Sequence, residues 1–427
     1  MIARLLQFLL WSLGYAFLDF YRTVQKVLGR EGLVRPSTDG LEPVEIVRSC
    51  MESCLEVRRI SPTQSATVLC AGFRHFREPW ARDFGFASYG LIAEGRSDVV
   101  RDGVKLFFRH QKSTGQLPLK MHSTVLIERY LHSVFARVQP VDANLIPRFI
   151  TAHGTRSLDS VLLLVIAWAE CVLHAKDEEL AVDLHGQVLS ALDWVERSKG
   201  RYGLIHQGPF ADWADSIARR GAVLYTNVLW WKAVKGLEEV EAFLPNKLHP
   251  HKDTSLQIGE RISNHLFCER LGYFKGTPHS ALFSSAGNFL AVSWGLATRR
   301  QALSVLDYAD KEELASPVPT RVTDREYPFY MVGPEMWLAG ISNYHTSCAW
   351  MWIGAWHVVA NQRVGRNERA RQLLDQMLST VARDRTVYEV HAPDGKPLAT
   401  RLYHSEEPLS WNAAMILYAN SVVEKGE

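Results

Sequence analysis

Ser160-Val161-Leu162-Leu163-Leu164-Val165-Ile166 is too apolar to keep a wet face, and it lies in a helix-period stretch, 156–175, of about five turns. After the turn signal Lys176-Asp177, residues 178–198 mix charge with apolar positions at helical spacing. The pair therefore reads as a covered helix followed by a half-wet one. The same reading applies to 84–94 and 96–111, which part at Glu94-Gly95-Arg96. Further candidate helices span 44–58, 221–237, 254–267, 284–297, 344–361, 366–382 and 406–423, whereas β-branched alternating runs are few. Eleven candidates alternating between covered and half-covered predict an all-α (α/α)6 barrel, six inner helices inside six outer ones, with the site in the loops at one end.

The 427 residues are 47% hydrophobic and 22% charged, with no low-complexity divider, which predicts one catalytic domain, 41–427, behind an N-terminal helical extension, 1–40. The 48 Lys+Arg nearly cancel the 46 Asp+Glu and form no basic block, so nucleic acid is not an expected partner. Aromatic residues reach 11%, including 13 Trp, which suits a core and also suits stacking on sugar rings. Cys50, Cys54, Cys70, Cys171, Cys268 and Cys348 show neither a disulfide framework nor a CxxC pattern, and reduced thiols point to the cytoplasm. Leu5 to Leu18 is apolar but short for a span. It reads as a helix packed on the domain, a membrane-surface anchor within residues 1–28, or an export or spanning segment.

Three acidic segments carry chemistry. Trp80-Ala81-Arg82-Asp83-Phe84 opens an apolar helix, where Asp83 either caps the helix or accepts hydrogen bonds from sugar hydroxyls, with Trp80 as a wall and Arg82 fixing the geometry. Asp159 stands at the mouth of the most apolar helix, where desolvation would raise its pKa. Glu389 lies in the mixed-polarity stretch Val387 to His391, before the turn Pro393-Asp394-Gly395-Lys396.

Trp80-Ala81-Arg82-Asp83-Phe84 resembles the opening motif of the neutral/alkaline invertase family and, more loosely, of the amylo-α-1,6-glucosidase and processing α-glucosidase families of the same barrel. In order along the chain, Gly115-Gln116-Leu117-Pro118, Leu158-Asp159-Ser160, Tyr344-His345, Tyr388-Glu389, Arg401-Leu402-Tyr403 and Trp411 resemble further invertase segments. The departures are Val161-Leu162 after Ser160 and Thr346-Ser347-Cys348 after His345, near the leaving-group side, and they argue against sucrose.

The resemblance implies an inverting glycosidase acting on a small glycoside or glucan end, with Asp159 as general acid and Glu389 as general base. It leaves Asp212 or Asp215, in Phe210-Ala211-Asp212-Trp213-Ala214-Asp215, as the alternative acid. Phe84, Trp213, Asn227, Asn288, Tyr344, His345, Tyr388 and Trp411 are then expected sugar contacts beside Trp80, Arg82 and Asp83. Glucose is the expected released sugar, and such chemistry requires no metal or organic cofactor. Two alternatives stand beside this reading. One is a sugar epimerase using paired His from among His206, His345, His357, His391 and His404; the other is a carbohydrate-binding protein with a degenerate site.

Overall fold

Every side chain from Leu158 to Ala169 is buried, so the segment that decides the sequence reading is an inner wall. The computed structural model describes residues 37–426 except 62, 74–75, 123–144 and 245–253, together with a few helical positions before residue 37. The expected extension, 1–40, and all three readings of its apolar stretch fall largely outside the described residues.

Among the described residues, twelve long helices alternate between two rings. The outer ring comprises α1 (Pro43–Ser53), α3 (Ser97–Arg109), α5 (Glu178–Glu196), α7 (Ser255–Leu266), α9 (Arg299–Lys311) and α11 (Asn367–Asp384). The inner ring comprises α2 (Ala81–Ala93), α4 (Leu158–Ala175), α6 (Leu224–Phe243), α8 (Ser285–Ser293), α10 (Met351–Arg363) and α12 (Ser410–Lys425). Each inner helix packs on the next, and α12 returns to α2, which closes the barrel. Small residues set the seams: a Cβ on Gly90 of α2 would lie 1.9 Å from the Ala414 carbonyl of α12, and one on Gly85 would lie 2.5 Å from Leu163 Cβ of α4. Backbones at such distances accept only glycine.

α4 is also long and apolar enough to cross a membrane, but 78% of it is buried inside the barrel, as a core helix must be. Antiparallel strands decorate the ends: β1 (Leu55–Ser61) with β2 (Gln64–Leu69), β3 (Lys120–His122) with β4 (Ile146–Arg148), and β5 (Phe267–Cys268), β6 (Tyr273–Thr277) and β7 (Ser280–Phe283) in one sheet.

The structure corrects two element boundaries and adds one helix. The helix expected over 44–58 stops at Ser53, and Leu55 enters β1. The helix expected over 344–361 starts at Met351, because Tyr344 to Trp350 form a turn with hydrogen bonds from the amides of Thr346 and Cys348 to the Asn343 carbonyl. The twelfth helix, α9, has no counterpart among the eleven expected.

Candidate active site

The segments that enter the inner helices converge at one end of the barrel, and asparagine fixes several of them. Asn227, in the first turn of α6, accepts from the Ile205 amide at 2.8 Å and donates to the Ile205 carbonyl at 3.0 Å. Asn288 of α8 treats Phe274 identically, at 3.0 and 2.9 Å, and Asn412 of α12 donates to the carbonyls of Tyr388 and Glu389 at 2.7 and 2.8 Å. Buried backbone groups left over by strand pairing have their hydrogen bonds satisfied this way. Asn227 and Asn288 are thus wholly buried staples rather than sugar contacts.

Arg82, 4% exposed, is the hub of the site. Its Nε donates to Asp159 Oδ2 at 2.8 Å, its Nη1 to Asp215 Oδ2 at 3.1 Å, and its Nη2 to Ser157 Oγ and the Ala211 carbonyl, each at 3.3 Å. Asp159, the second residue of α4, also accepts from Ser157 Oγ at 2.5 Å and from the Ser160 amide at 2.9 Å. Its side chain is fully occluded, whereas that of Asp215 is 40% exposed and takes one donor, Arg82. Asp215 is thus reachable from solvent while protein packs around it, and burial raises its pKa against the pull of Arg82. Burial raises Asp159 as well, again opposed by Arg82. Asp212 is clamped by Arg219, whose Nη2 lies at 2.7 Å, by Gln207 at 2.6 Å and by the Ala214 amide at 3.0 Å, and is 1% exposed.

Glu389 faces this cluster. It accepts from the phenols of Tyr344 and Tyr403 and from the Glu406 amide at 3.2 Å, so three of about four acceptor positions are filled and one is left. Burial raises its pKa, the two phenols counter that, and the Asp215 charge raises it further. Asp83, at the third position of α2, is pushed up to about 7, first by burial and then by the charges of Glu389 and Asp215, with Arg82 opposing. Asp215, Glu389 and Asp83 therefore share one electrostatic neighbourhood. Asp159 feels Arg82 and Asp212, and its charge reaches Asp215 as well, through the guanidinium the two share.

The other expected contacts divide. Trp80 is partly exposed, with Lys120 Nζ 4.4 Å over its ring. Tyr344 holds Glu389, and His345 Nδ1 lies 2.7 Å from Ser216 Oγ, with burial driving its pKa well below the usual value so that it stays neutral. Trp213 and Trp411 are nearly buried in an aromatic floor with Trp350 and Trp352, and neither indole N–H has a hydrogen-bond partner among the described residues. Phe84 is not a sugar contact: it packs on Phe107 between α2 and α3, with centroids 5.7 Å apart. The Tyr388 ring meets the His391 ring edge-on, with centroids 6.2 Å apart.

The histidines of the epimerase reading have separate partners: His206 the Arg201 carbonyl, His357 the Phe289 ring, and His391 Asp384. Among the described residues no cluster of His, Cys, Asp and Glu is arranged to hold a metal ion. Sequence reasoning missed the role of Tyr403 and passed over Ser157, His153 and Glu335. Tyr403 alone had a signal, in the Arg401-Leu402-Tyr403 segment.

No family model and no curated protein sequence matches this chain. Solved structures do. The GH63 mannosylglycerate hydrolase from Thermus thermophilus, in complex with Tris and D-glycerate, superposes with a TM-score of 0.61 at 14% identity, over 88% of this chain and 99% of that one. The same enzyme in complex with glucose gives 0.61 and 14% over the same shares. A rhamnosidase from Klebsiella oxytoca with rhamnose bound gives 0.60 at 12% identity; it covers 92% of this chain, which spans 66% of the rhamnosidase's length. The chain has the (α/α)6 fold of these glycoside hydrolases. Neither is an invertase, so the resemblance holds at the level of the barrel and not of the named families.

Proposed function

We propose that this chain is an inverting glycoside hydrolase that releases a terminal sugar, glucose in the first instance, with Asp215 as general acid and Glu389 as general base. The observation that carries the reading is a pair of carboxyls, one open and singly hydrogen-bonded, the other held by two phenols, set so that the charge of Asp215 raises the proton affinity of both Glu389 and Asp83. This moves the acid from Asp159 to its alternative. Asp159 becomes a positioning residue that holds Arg82, which holds Asp215.

In this scheme Asp215 gives its proton to the glycosidic oxygen as the bond to the anomeric carbon breaks. Glu389 takes a proton from the water that attacks that carbon from the opposite face. The products are the inverted sugar and the free alcohol, and proton exchange with solvent resets both carboxyls. Burial helps Asp215 keep its proton until it is needed. Such a displacement requires carboxyls about 6.5–9.5 Å apart. Asp83, with a pKa of about 7, serves the sugar hydroxyls either as acceptor or as donor.

The test is a panel of α- and β-glycosides with products identified and the first-formed anomer followed by NMR. The reading expects free sugar of inverted configuration. Retained configuration overturns the mechanism, and sugar binding without turnover favours the carbohydrate-binding alternative.

A further inference from the structure

Three large aromatic side chains are among the most exposed apolar groups of the described residues, and they occupy one short segment: Phe329 at 74%, Tyr330 at 72% and Trp337 at 52%. That segment is laced to the loop that carries Asp215. The Ala218 amide donates to the Met331 carbonyl and the Gly333 amide to the Ser216 carbonyl, both at 2.7 Å, and Ile217 bridges Val332. Exposed aromatics clustered beside a site mark a contact surface rather than a core.

Beneath them lies a polar pair that the proposed chemistry does not use. His153 Nε2 is 3.2 Å from Glu335 Oε1, and the His153 ring stacks on Phe210 at 4.1 Å. Phe210 is held at φ +56° on the same loop, and the His153 charge bears on Asp215. Glu335 is 7% exposed, and its Oε2 has no hydrogen-bond partner among the described residues. A buried carboxyl oxygen without a donor is costly. A hydroxyl brought to it relieves that cost, whereas an anion adds repulsion where water screens little. The two guanidiniums of the site, Arg82 and Arg219, are already taken up by Asp159, Asp215 and Asp212.

We propose that the segment 329–337 with the His153–Glu335 pair forms the leaving-group subsite and selects a neutral, hydroxylated leaving group, a second sugar ring, over an anionic one. The inference rests on the hydrolase reading and deepens it. An apolar sugar face lies on the aromatic side chains, and its hydroxyls meet Glu335.

The experiment compares glycosides of one sugar that differ only in the leaving group: glycerol, glycerate and a second glucose. A panel of α-glucosyl, α-mannosyl and α-rhamnosyl fluorides supplies donors that need no such subsite. The wild-type enzyme is expected to favour the glycerol over the glycerate glycoside by at least about tenfold in kcat/KM. Glu335→Gln is expected to shrink that ratio toward unity, and Trp337→Ala and Tyr330→Ala to raise KM for the disaccharide about tenfold. Fluoride turnover with a glycerate preference, for which the exposed Arg220 would supply the cation, overturns the inference and leaves the hydrolase intact. So does a ratio that Glu335→Gln fails to move. Failure on every fluoride brings down the hydrolase reading, and this inference with it.

Discussion

Asp159 and Asp215 share one guanidinium and end in opposite surroundings. Asp159 lies at the start of the most apolar helix, receives three donors and is sealed; Asp215 lies on a loop, receives one and is open. Both have raised pKa values from burial, so desolvation does not separate them. Access does. The proposed proton donor needs low dielectric around it and access from solvent, and of these two carboxyls Asp215 combines them.

Kinetics of the two amide variants apply the largest pressure to this contrast. Asp215→Asn is expected to lower kcat on an ordinary glycoside by about 10²–10⁴ and to spare much of the turnover of a glycosyl fluoride, whose leaving group needs no proton. Asp159→Asn is expected to lose activity on both donors alike, because it misplaces Arg82. A selective rescue of Asp159→Asn by the fluoride would reverse the assignment.

Stability probes the same hub at smaller scale. Arg82→Met leaves Asp159 buried without its cation and is expected to lower unfolding free energy by about 3–5 kcal/mol in denaturant titration. Asp159→Asn is expected to cost less, about 1–3 kcal/mol, because Asp215, Ser157 and the Ala211 carbonyl still accept from Arg82. Equal losses would mean that Asp215, Ser157 and the Ala211 carbonyl do not hold the guanidinium once Asp159 has lost its charge.

The phenols on Glu389 give a subtler test. Tyr403 favours the ionised carboxylate, so Tyr403→Phe raises the Glu389 pKa further. Since the base works ionised, the acidic limb of the kcat/KM profile is expected to move to higher pH. The smallest effect concerns Asp83. Its folded pKa of about 7 lies above the ordinary aspartate value of 3.8, so between these values the native state binds more protons than the unfolded chain, and stability falls as pH rises. Asp83→Asn is expected to flatten that decline in a melting series across pH 4–7.

The barrel was largely legible because covered and half-covered helices differ in composition. Helix α9 escaped because its surface is mostly charged, although Ala302, Val305, Leu306 and Ala309 keep helical spacing and Thr298 with Gln301 forms a capping box. The β1 strand was absorbed into a helix because helical periodicity before it masked the alternation that starts at Leu55. The site was legible as segments and not as contacts. The acidic segments and Tyr344 were found, but nothing local to Asn227 or Asn288 distinguishes a backbone staple from a sugar ligand. Nor could the sequence place Tyr403 on Glu389 or set Asp159 behind Arg82, since those facts are made by loops remote along the chain.

The seam where Gly90 of α2 meets Ala414 of α12 joins segments more than three hundred residues apart. A ribosome must therefore add more than three hundred further residues before α2 gains its neighbour across this seam. Until then the apolar flank of α2 lacks the wall that covers it in the closed barrel.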